Sequence, residues 1–295
     1  MTPRVVGILS PGDMGSAIGR VLHEHGLEVV TCLEGRSELT RLRAREAGFR
    51  EVASYDDLVR EADLLLSVLV PSEALAVAER VAEAVRRTGA SLVYADCNAI
   101  APRTVAEIAG VLTEAGCTFV DAGIIGGPPG PSTSSGQAPG TRFYCSGPDC
   151  GAFESLREHG LDVRVVGPTV GQASGLKMVY AASTKGTTAL WTELLVAARL
   201  LGLEEALAAE LEGSAVARQV MRGIPSMPRR ARRWIGEMEE IAKTFEDLGL
   251  TPLMLQGAAD LYRLVGETPL ADQTSREPDP SLVAVLGGLA ERVGK

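Results

Sequence analysis

The sequence predicts a doubly wound α/β domain followed by an all-helical domain. In the first half, short apolar runs alternate with amphipathic helical stretches, which is typical of a parallel sheet covered on both faces. After Gly167-Pro168 the strand signals stop, and the remaining residues are rich in Ala, Leu, Glu and Arg. We therefore expect two domains, residues 1–168 and 169–295, and a length of 295 residues accommodates both.

Each element of the first domain follows from its local pattern. Strands are predicted where apolar runs are bounded by turn residues, and helices where apolar residues recur at helical spacing. The predicted strands cover residues 4–9, 27–33, 63–70, 91–96, 117–122, 141–145 and 162–166. The predicted helices run from Gly15 to His25 and over about 37–48, 72–87 and 102–115. A long helix carrying Lys177 and Lys185 opens the second domain.

Composition and charge exclude several classes of protein. A net charge of −9 argues against a general affinity for nucleic acid or anionic membrane. No apolar run approaches the roughly 18 residues of a membrane span, so we expect a cytoplasmic protein. The five cysteines form no C-x-x-C pair and have no partners at zinc spacing, so we expect reduced thiols and no metal site.

One biased segment, Gly126–Gly140, is rich in Gly, Pro and Ser. It is too long for a simple connector. Two interpretations are open: a loop that covers the site, which we favour, or local disorder.

The first strand-to-helix turn is the predicted cofactor site. Its pattern is Ser10-x-Gly12-x-x-Gly15, with Gly19 one turn later. In a Rossmann domain such a turn holds a pyrophosphate, because glycine lets backbone N–H groups approach the phosphates and the helix start adds partial positive charge. Serine stands where the first glycine is usual. The predicted cofactor contacts in this turn are Ser10, Pro11, Gly12, Asp13, Met14 and Gly15.

The end of the second strand should contact the adenosine ribose. An acidic residue there binds the 2′-hydroxyl of NAD, whereas arginine and hydroxyl groups accommodate the 2′-phosphate of NADP. The chain supplies both, because Glu34 is followed by Arg36 and Ser37. We favour NADP, with NAD as the alternative if Glu34 faces the ribose. Leu69, Val70 and Pro71, which end the strand predicted over 63–70, are assigned to the same cofactor.

Lysine is scarce in this chain, which holds four lysines against 25 arginines. Two of the four, Lys177 and Lys185, lie in one apolar, alanine-rich segment. Arginine stays charged at any working pH, whereas a desolvated lysine can lose its proton near neutrality, so a titratable amine is one reason for lysine here. The other interpretation is a lysine whose stem lies along apolar surface and whose head stays in water.

Four local motifs follow one another along the chain. The motifs are Gly12-Asp-Met-Gly15, Asp96-Cys-Asn-Ala-Ile-Ala-Pro102, Asp121-Ala-Gly-Ile-Ile-Gly-Gly127 and Gly171-x-x-x-Gly175-x-Lys177. In this order they resemble motifs of the β-hydroxyacid dehydrogenase and 6-phosphogluconate dehydrogenase superfamily. The resemblance covers roughly residues 4–200, and the C-terminal portion is similar to a little-studied subgroup. It implies a Rossmann domain, a helical dimerisation domain and Lys177 as the catalytic lysine.

Three departures from the family pattern bear on the substrate. The family's asparagine after the lysine corresponds to Ala181, its His-Asn pair corresponds to Tyr180-Ala181, and its substrate-loop serine corresponds to Ile125. These changes remove hydroxyl contacts and argue against 6-phosphogluconate as the substrate. The resemblance and the loop chemistry together place the substrate contacts at Asn98, Gly126, Gly127, Ser174, Tyr180 and Lys185, with Asn98 and Lys243 also near the nicotinamide.

The resulting expectation is an NADP-dependent hydride transfer to or from a small β-hydroxy acid or its keto or semialdehyde partner, in a homodimer. Lys177 would be the general acid and base. Imine reductases share the expected architecture but commonly have Asp or Tyr at the position of Lys177, and a non-catalytic nucleotide sensor would need no titratable amine. One run of arginines in the second half either binds an anionic substrate or serves a solvated or subunit-bridging face; the run is Arg222, Arg229, Arg230, Arg232 and Arg233.

Overall fold

The first half of the chain forms one eight-stranded sheet. The structure is a computed structural model, and it describes residues 2–130, 140–274 and 277–293. The strand order is β3-β2-β1-β4-β5-β6-β7-β8, and every neighbouring pair is parallel except β6 and β7. The strands are β1 (Val5–Leu9), β2 (Glu28–Cys32), β3 (Arg50–Val52), β4 (Leu64–Ser67), β5 (Val93–Asp96), β6 (Thr118–Ile125), β7 (Arg142–Ser146) and β8 (Asp162–Gly167).

Helices cover both faces of this sheet, as the continuous apolar strands predict. On one face, buried side chains of α3, α4 and α5 pack around Leu65 and Tyr94, and on the other α1 and α6 pack around Ile8 and Val120. The helices are α1 (Asp13–Glu24), α2 (Glu38–Glu46), α3 (Tyr55–Glu61), α4 (Ala74–Thr88), α5 (Pro102–Glu114), α6 (Gly151–Glu154) and α7 (Gln172–Ala181). The doubly wound arrangement is therefore confirmed.

The structure adds one strand, two α-helices and one reversal to the predicted order of the first half. Strand β3 and helices α3 and α6 were not predicted, because each is short and β3 has a single buried residue, Val52. Strand β7 runs antiparallel to β6, so the sheet is not wholly parallel. Most of the Gly126–Gly140 segment, residues 131–139, lies outside the described residues, and the interpretation of that segment as a covering loop stays a prediction.

The second half is helical, as predicted. A π-helical turn, Ala182–Gly186, follows α7, and α11 packs along α12 with Trp234 edge-on to Tyr262 at a centroid distance of 5.2 Å. Within the described ranges no helix is long and apolar enough to cross a lipid bilayer. The further helices are α8 (Thr187–Leu200), α9 (Glu204–Glu210), α10 (Ala215–Gly223), α11 (Pro228–Asp247), α12 (Leu253–Gly266) and α13 (Leu282–Val293).

The chain divides into two units within α7, as Met1–Lys177 and Met178–Lys295. The change from strand to helix signals places the predicted boundary earlier, after residue 168. The first turns of α7 belong with the sheet because they are hydrogen-bonded to β6.

Candidate active site

The glycine turn between β1 and α1 has the shape that a pyrophosphate requires. Ser10 adopts a φ of 62°, in the left-handed region that favours glycine, and this accounts for the usual glycine at its position. A Cβ atom on Gly15 would lie 2.7 Å from the Ser10 carbonyl oxygen, whereas one on Gly12 would meet nothing within 4 Å. Gly12 therefore leaves open space at the start of α1, where backbone N–H groups and the helix dipole favour an anion. The residues present fit a dinucleotide.

The end of β2 carries the residues predicted to contact the ribose. Glu34 lies 3.8 Å from the guanidinium of Arg80, which in turn lies 4.3 Å from the ring centroid of Tyr55. Ser37 caps α2 by accepting a hydrogen bond from the Thr40 backbone N–H at 3.3 Å. A cavity of about 300 Å³ opens beside these residues; its lining includes Glu34, Ser54, Tyr55, Asp56, Arg80, Glu83 and Arg87.

A row of buried polar side chains crosses the middle of the sheet. Ser67 on β4 pairs in register with Asp96 on β5, Asp96 with Asp121 on β6, and Asp121 with Ser146 on β7. Burial raises the pKa of Asp96 to about 7, although hydrogen bonds from Asn98 oppose the shift. Burial also raises the pKa of Asp121. Neither carboxylate is among the predicted site residues, although an ionisable side chain ending an apolar strand is itself a signal of a functional or polar site.

Asn98 is fully engaged in this row. Its amide nitrogen donates to Ser67 Oγ at 2.9 Å and to Asp96 Oδ2 at 3.0 Å, and its amide oxygen accepts from the backbone N–H of Leu69 at 2.6 Å. These bonds tie the end of β5 to the end of β4, where Val70 is half exposed and Pro71 opens a short 3₁₀ turn. Its contact with the nicotinamide or substrate stays a prediction.

Asp121 anchors the start of α7. Its Oδ2 accepts hydrogen bonds from the backbone N–H groups of Gly171 (2.8 Å), Ala173 (3.1 Å) and Ser174 (3.2 Å). The Ser174 hydroxyl also donates to Asp121 at 3.3 Å, and Ser146 Oγ donates to it at 2.9 Å. A carboxylate at this end of a helix satisfies N–H groups that have no partner within the helix. Ser174, a predicted substrate contact, is fully buried in this network.

Lys177 lies two turns along the same helix. Its Nζ donates to the carbonyl oxygen of Ile124 at 2.5 Å, so strand β6 holds α7 at two points. Gly123 lies between those points, and a Cβ atom on it would come within 2.8 Å of the Ala173 carbonyl oxygen. The strand and helix thus approach as closely as glycine permits, and the amine is half-buried at the end of β6.

Two glycines follow that strand end. Gly126 has a φ of 127°, which side chains rarely adopt, and a Cβ atom on Gly127 would meet nothing within 4 Å. The Thr141 hydroxyl donates to the Gly127 carbonyl oxygen at 2.5 Å and fixes this turn. The backbone of Gly127 is therefore accessible directly after the strand that holds Lys177.

The remaining predicted residues lie in the second unit. Lys185 is 9% exposed and forms an ion pair with Glu237, and its ring contact is Trp234 at 5.5 Å from the centroid. Burial lowers the pKa of Lys185, and Glu237 opposes that shift. Tyr180 is exposed, and Lys243 is half-buried on α11. Substrate or cofactor contact by Tyr180, Lys185 and Lys243 stays a prediction.

Three of the five arginines between positions 222 and 233 are engaged in ion pairs within that unit. Arg229 pairs with Asp279 at 2.8 Å, Arg232 with Asp272 at 2.8 Å, and Arg233 with Glu237 at 3.3 Å. Such pairs favour the interpretation of a charged helix face, and they leave the alternative of an anion clamp untested.

Comparison with known proteins agrees with this geometry. Residues 5–142 match the NAD binding domain of 6-phosphogluconate dehydrogenase, and residues 198–265 match a domain of unknown function (DUF1932). A conserved protein of unknown function, whose solved structure is similar to 3-hydroxyacid dehydrogenases, is 32% identical; the match covers 89% of this chain and 99% of that one, with a TM-score of 0.66.

Two further comparisons extend the likeness. An uncharacterized 28.5 kDa protein from the 7S RNA 5′ region of Methanothermus fervidus is 28% identical over 89% of this chain and 99% of its own length. The 3-hydroxyisobutyrate dehydrogenase of Mycobacterium tuberculosis shares the fold at 18% identity, covering 98% of this chain and 99% of that one, with a TM-score of 0.70.

Imine reductases of Myxococcus stipitatus, solved with NAD⁺ and with NADP⁺, share the fold at 19% identity and TM-scores of 0.56 and 0.54. The two domain matches and the 32% identical relative agree with the sequence motifs. They also agree with the glycine turn between β1 and α1, which fits a dinucleotide. This chain belongs to the superfamily of NAD(P)-binding 3-hydroxyacid dehydrogenases and 6-phosphogluconate dehydrogenase-like proteins, in a branch with a DUF1932 C-terminal domain.

Proposed function

We propose that this protein is an NADP-dependent oxidoreductase that acts on a small β-hydroxy acid or its keto or semialdehyde partner, with Lys177 as the general acid and base. The observation that carries the proposal is the position of Lys177. Its amine is bonded to the Ile124 carbonyl oxygen, one residue before the strand end that leads into Gly126 and Gly127. A lysine amine can give up or take a proton, which is the exchange that reduction or oxidation at a hydroxyl-bearing carbon requires.

In the oxidative direction, the neutral amine of Lys177 accepts the hydroxyl proton while the neighbouring C–H bond breaks and the C=O bond forms. A bound nicotinamide accepts the hydride in this direction and supplies it in reverse. In reduction, Lys177 gives its proton to the carbonyl oxygen as hydride reaches the carbon. The backbone N–H groups of Gly126 and Gly127 are available to hold the substrate carboxylate. General acid–base assistance of this kind contributes about 10²–10⁴ to the rate.

Substitution of Lys177 tests the reaction. On a substrate found by screening short β-hydroxy acids, semialdehydes and cyclic imines, Lys177→Met should lower turnover by at least about 10²-fold. The affinity for NADPH should stay within a few-fold, because the glycine turn binds the phosphates. Lys177→Arg should rescue poorly, since a guanidinium does not release a proton at working pH.

Leu176→Met, an exposed position on the same helix, is the control and should leave turnover unchanged. Near-full turnover by Lys177→Met would refute the proposed role of the lysine. Imine reduction that survives this substitution would favour an imine reductase, and NADPH binding without turnover of any probe would favour a sensor.

The preference for NADP is part of the same proposal. It is supported by Arg36 and Ser37, which follow the end of β2, and by Arg80, whose guanidinium lies 3.8 Å from Glu34 and adds a second positive charge beside that carboxylate. Fluorescence titration should give tighter binding of NADPH than of NADH, and Arg36→Ala should reduce the difference. A preference for NADH that is lost in Glu34→Ala would reverse the assignment.

We further propose a homodimer formed by the helical half. Large apolar side chains are exposed on its helices, among them Leu190 on α8 (61%) and Met254 on α12 (73%). Exposed apolar surface of this kind marks association surfaces. Sedimentation at micromolar concentration should give about twice the chain mass of 31.0 kDa, and a clean monomer would refute the dimer.

A further inference from the structure

Arg142 emerges from the sheet beside the predicted substrate turn. It is the first residue of β7 and pairs in register with Ile125, the last residue of β6. In an antiparallel ladder, directly opposite residues place their side chains on the same face of the sheet. Arg142 is therefore the cross-strand neighbour of the position where the family's substrate loop carries serine.

That face is the one covered by α7. The Cβ direction of Gly123 points at Ala173 and Lys177, and side chains alternate along a strand, so Ile125 faces the same way as Gly123. Arg142, opposite Ile125, therefore leaves the sheet on the face where Lys177 lies. Two cationic side chains thus rise from one face at the end of β6.

The side chain of Arg142 carries one donor that the described residues leave unsatisfied. Its Nε is buried and, among the residues that the structure describes, has no hydrogen-bond partner. Asp162, its register partner on β8, accepts two hydrogen bonds of 3.0 and 2.8 Å from Arg164; these bonds chiefly lower the pKa of Asp162, and the nearby charge of Arg142 adds to that shift. A buried donor without an acceptor is destabilising, and such groups are rare in native proteins unless a ligand completes them.

We propose that Arg142 binds the carboxylate of the substrate. The planar guanidinium matches a carboxylate with two parallel N–H···O bonds, and the fixed charge supplies the affinity that an isoleucine at position 125 cannot. Gly127 follows the same strand end, and its carbonyl oxygen accepts a hydrogen bond from the hydroxyl of Thr141, the residue before Arg142. This inference rests on the proposed function for the class of ligand, an organic acid, and it adds the residue that selects that class.

The experiment measures binding without turnover. Protein saturated with NADPH cannot oxidise a hydroxy acid, so 3-hydroxypropionate and its uncharged methyl ester can be compared by isothermal titration calorimetry. Wild-type protein should bind the acid at least about 10-fold more tightly than the ester, since hydrogen bonds to charged groups are the stronger ones. Arg142→Gln should weaken acid binding by about 10- to 100-fold and abolish the preference.

Arg60→Gln, which removes the same charge from an exposed helix position, is the matched control and should retain the preference. Arg142→Lys should lose several-fold in acid affinity because it keeps the charge without the planar fork, and it decides the matter if Arg142→Gln fails to bind NADPH. Unchanged acid affinity in either variant, or a wild-type protein that binds acid and ester equally or binds neither, would overturn the inference. Failure to oxidise any hydroxy acid would instead refute the proposed function and leave the role of Arg142 in binding intact.

Discussion

The close contact between Gly123 and α7 predicts that Gly123→Ala displaces this helix. The new methyl group would lie 2.8 Å from the Ala173 carbonyl oxygen and 3.1 Å from Lys177 Cβ, whereas ordinary contacts begin near 3.4 Å. The backbone of Gly123 is not in the left-handed region, so the effect comes from space alone. The helix must therefore move away by about 0.6 Å, the difference between 3.4 and 2.8 Å.

This displacement should affect both stability and turnover. Overpacking of a well-packed contact costs about 1–3 kcal/mol. A misplacement of roughly 1 Å in a catalytic group costs about 10²-fold in rate, so we expect about a 10-fold loss in turnover from about half that shift. Stability is measured by thermal unfolding, cofactor affinity by NADPH titration and catalysis by steady-state turnover, all on the same sample. We expect the affinity for NADPH to stay unchanged.

Gly110→Ala is the matched control, because a Cβ atom at Gly110 on α5 would meet nothing within 4 Å. It should be neutral or stabilise by up to about 1 kcal/mol, since alanine is the better helix former. Wild-type stability and turnover in Gly123→Ala would refute the argument that strand β6 positions the lysine.

Two further predictions concern buried charges. Lys185→Met should lower the free energy of unfolding by about 1–3 kcal/mol because it removes a buried ion-pair partner of Glu237, although Arg233 still pairs with that carboxylate. Lys185→Met combined with Glu237→Leu should recover most of that loss in denaturant titrations, and equal losses in the single and double variants would contradict this. The pKa of Asp96 is raised to about 7 in the folded protein, above about 3.9 in the unfolded chain, so the folded state binds the proton more tightly. The contribution of Asp96 to the free energy of unfolding is therefore greatest below about pH 4. It decreases by up to roughly 4 kcal/mol as pH rises to about 7. Asp96→Asn should give a flatter dependence of melting temperature on pH across that window, and an unchanged slope would show that Asp96 does not titrate there.

The main elements of the fold were predictable because their signals are local. Strands β1 and β4 are unbroken apolar runs, and the stretches between the predicted strands carry helical periodicity. Strand β3 was not predictable because it has three residues and one buried side chain, Val52. The reversal of β7 has a reason in the sequence: a parallel connection usually needs a crossover helix, and Gly and Pro, which are frequent between the two strands, disfavour helix formation.

The site was predictable in part. The glycine turn and Lys177 occupy positions that suit their predicted roles, because both depend on short motifs. The engagement of Asn98 with Ser67, and of Ser174 with Asp121, depends on residues 31 and 53 positions away in the chain. The same is true of Lys185 and Glu237, 52 positions apart. Pairings of that kind follow from the packed fold, and no local pattern reveals them.

Because β6 and β7 pair with each other, the positions of their joined ends do not depend on the length of the segment between them. Five register pairs, from Asp121–Ser146 to Ile125–Arg142, fix the two strands against each other. The five pairs do not depend on how many residues join the strands, so Ile125 and Arg142 stay neighbours when that number changes. A change in the length of the connection would thus alter the room near this strand end while leaving the charge of Arg142 where it is.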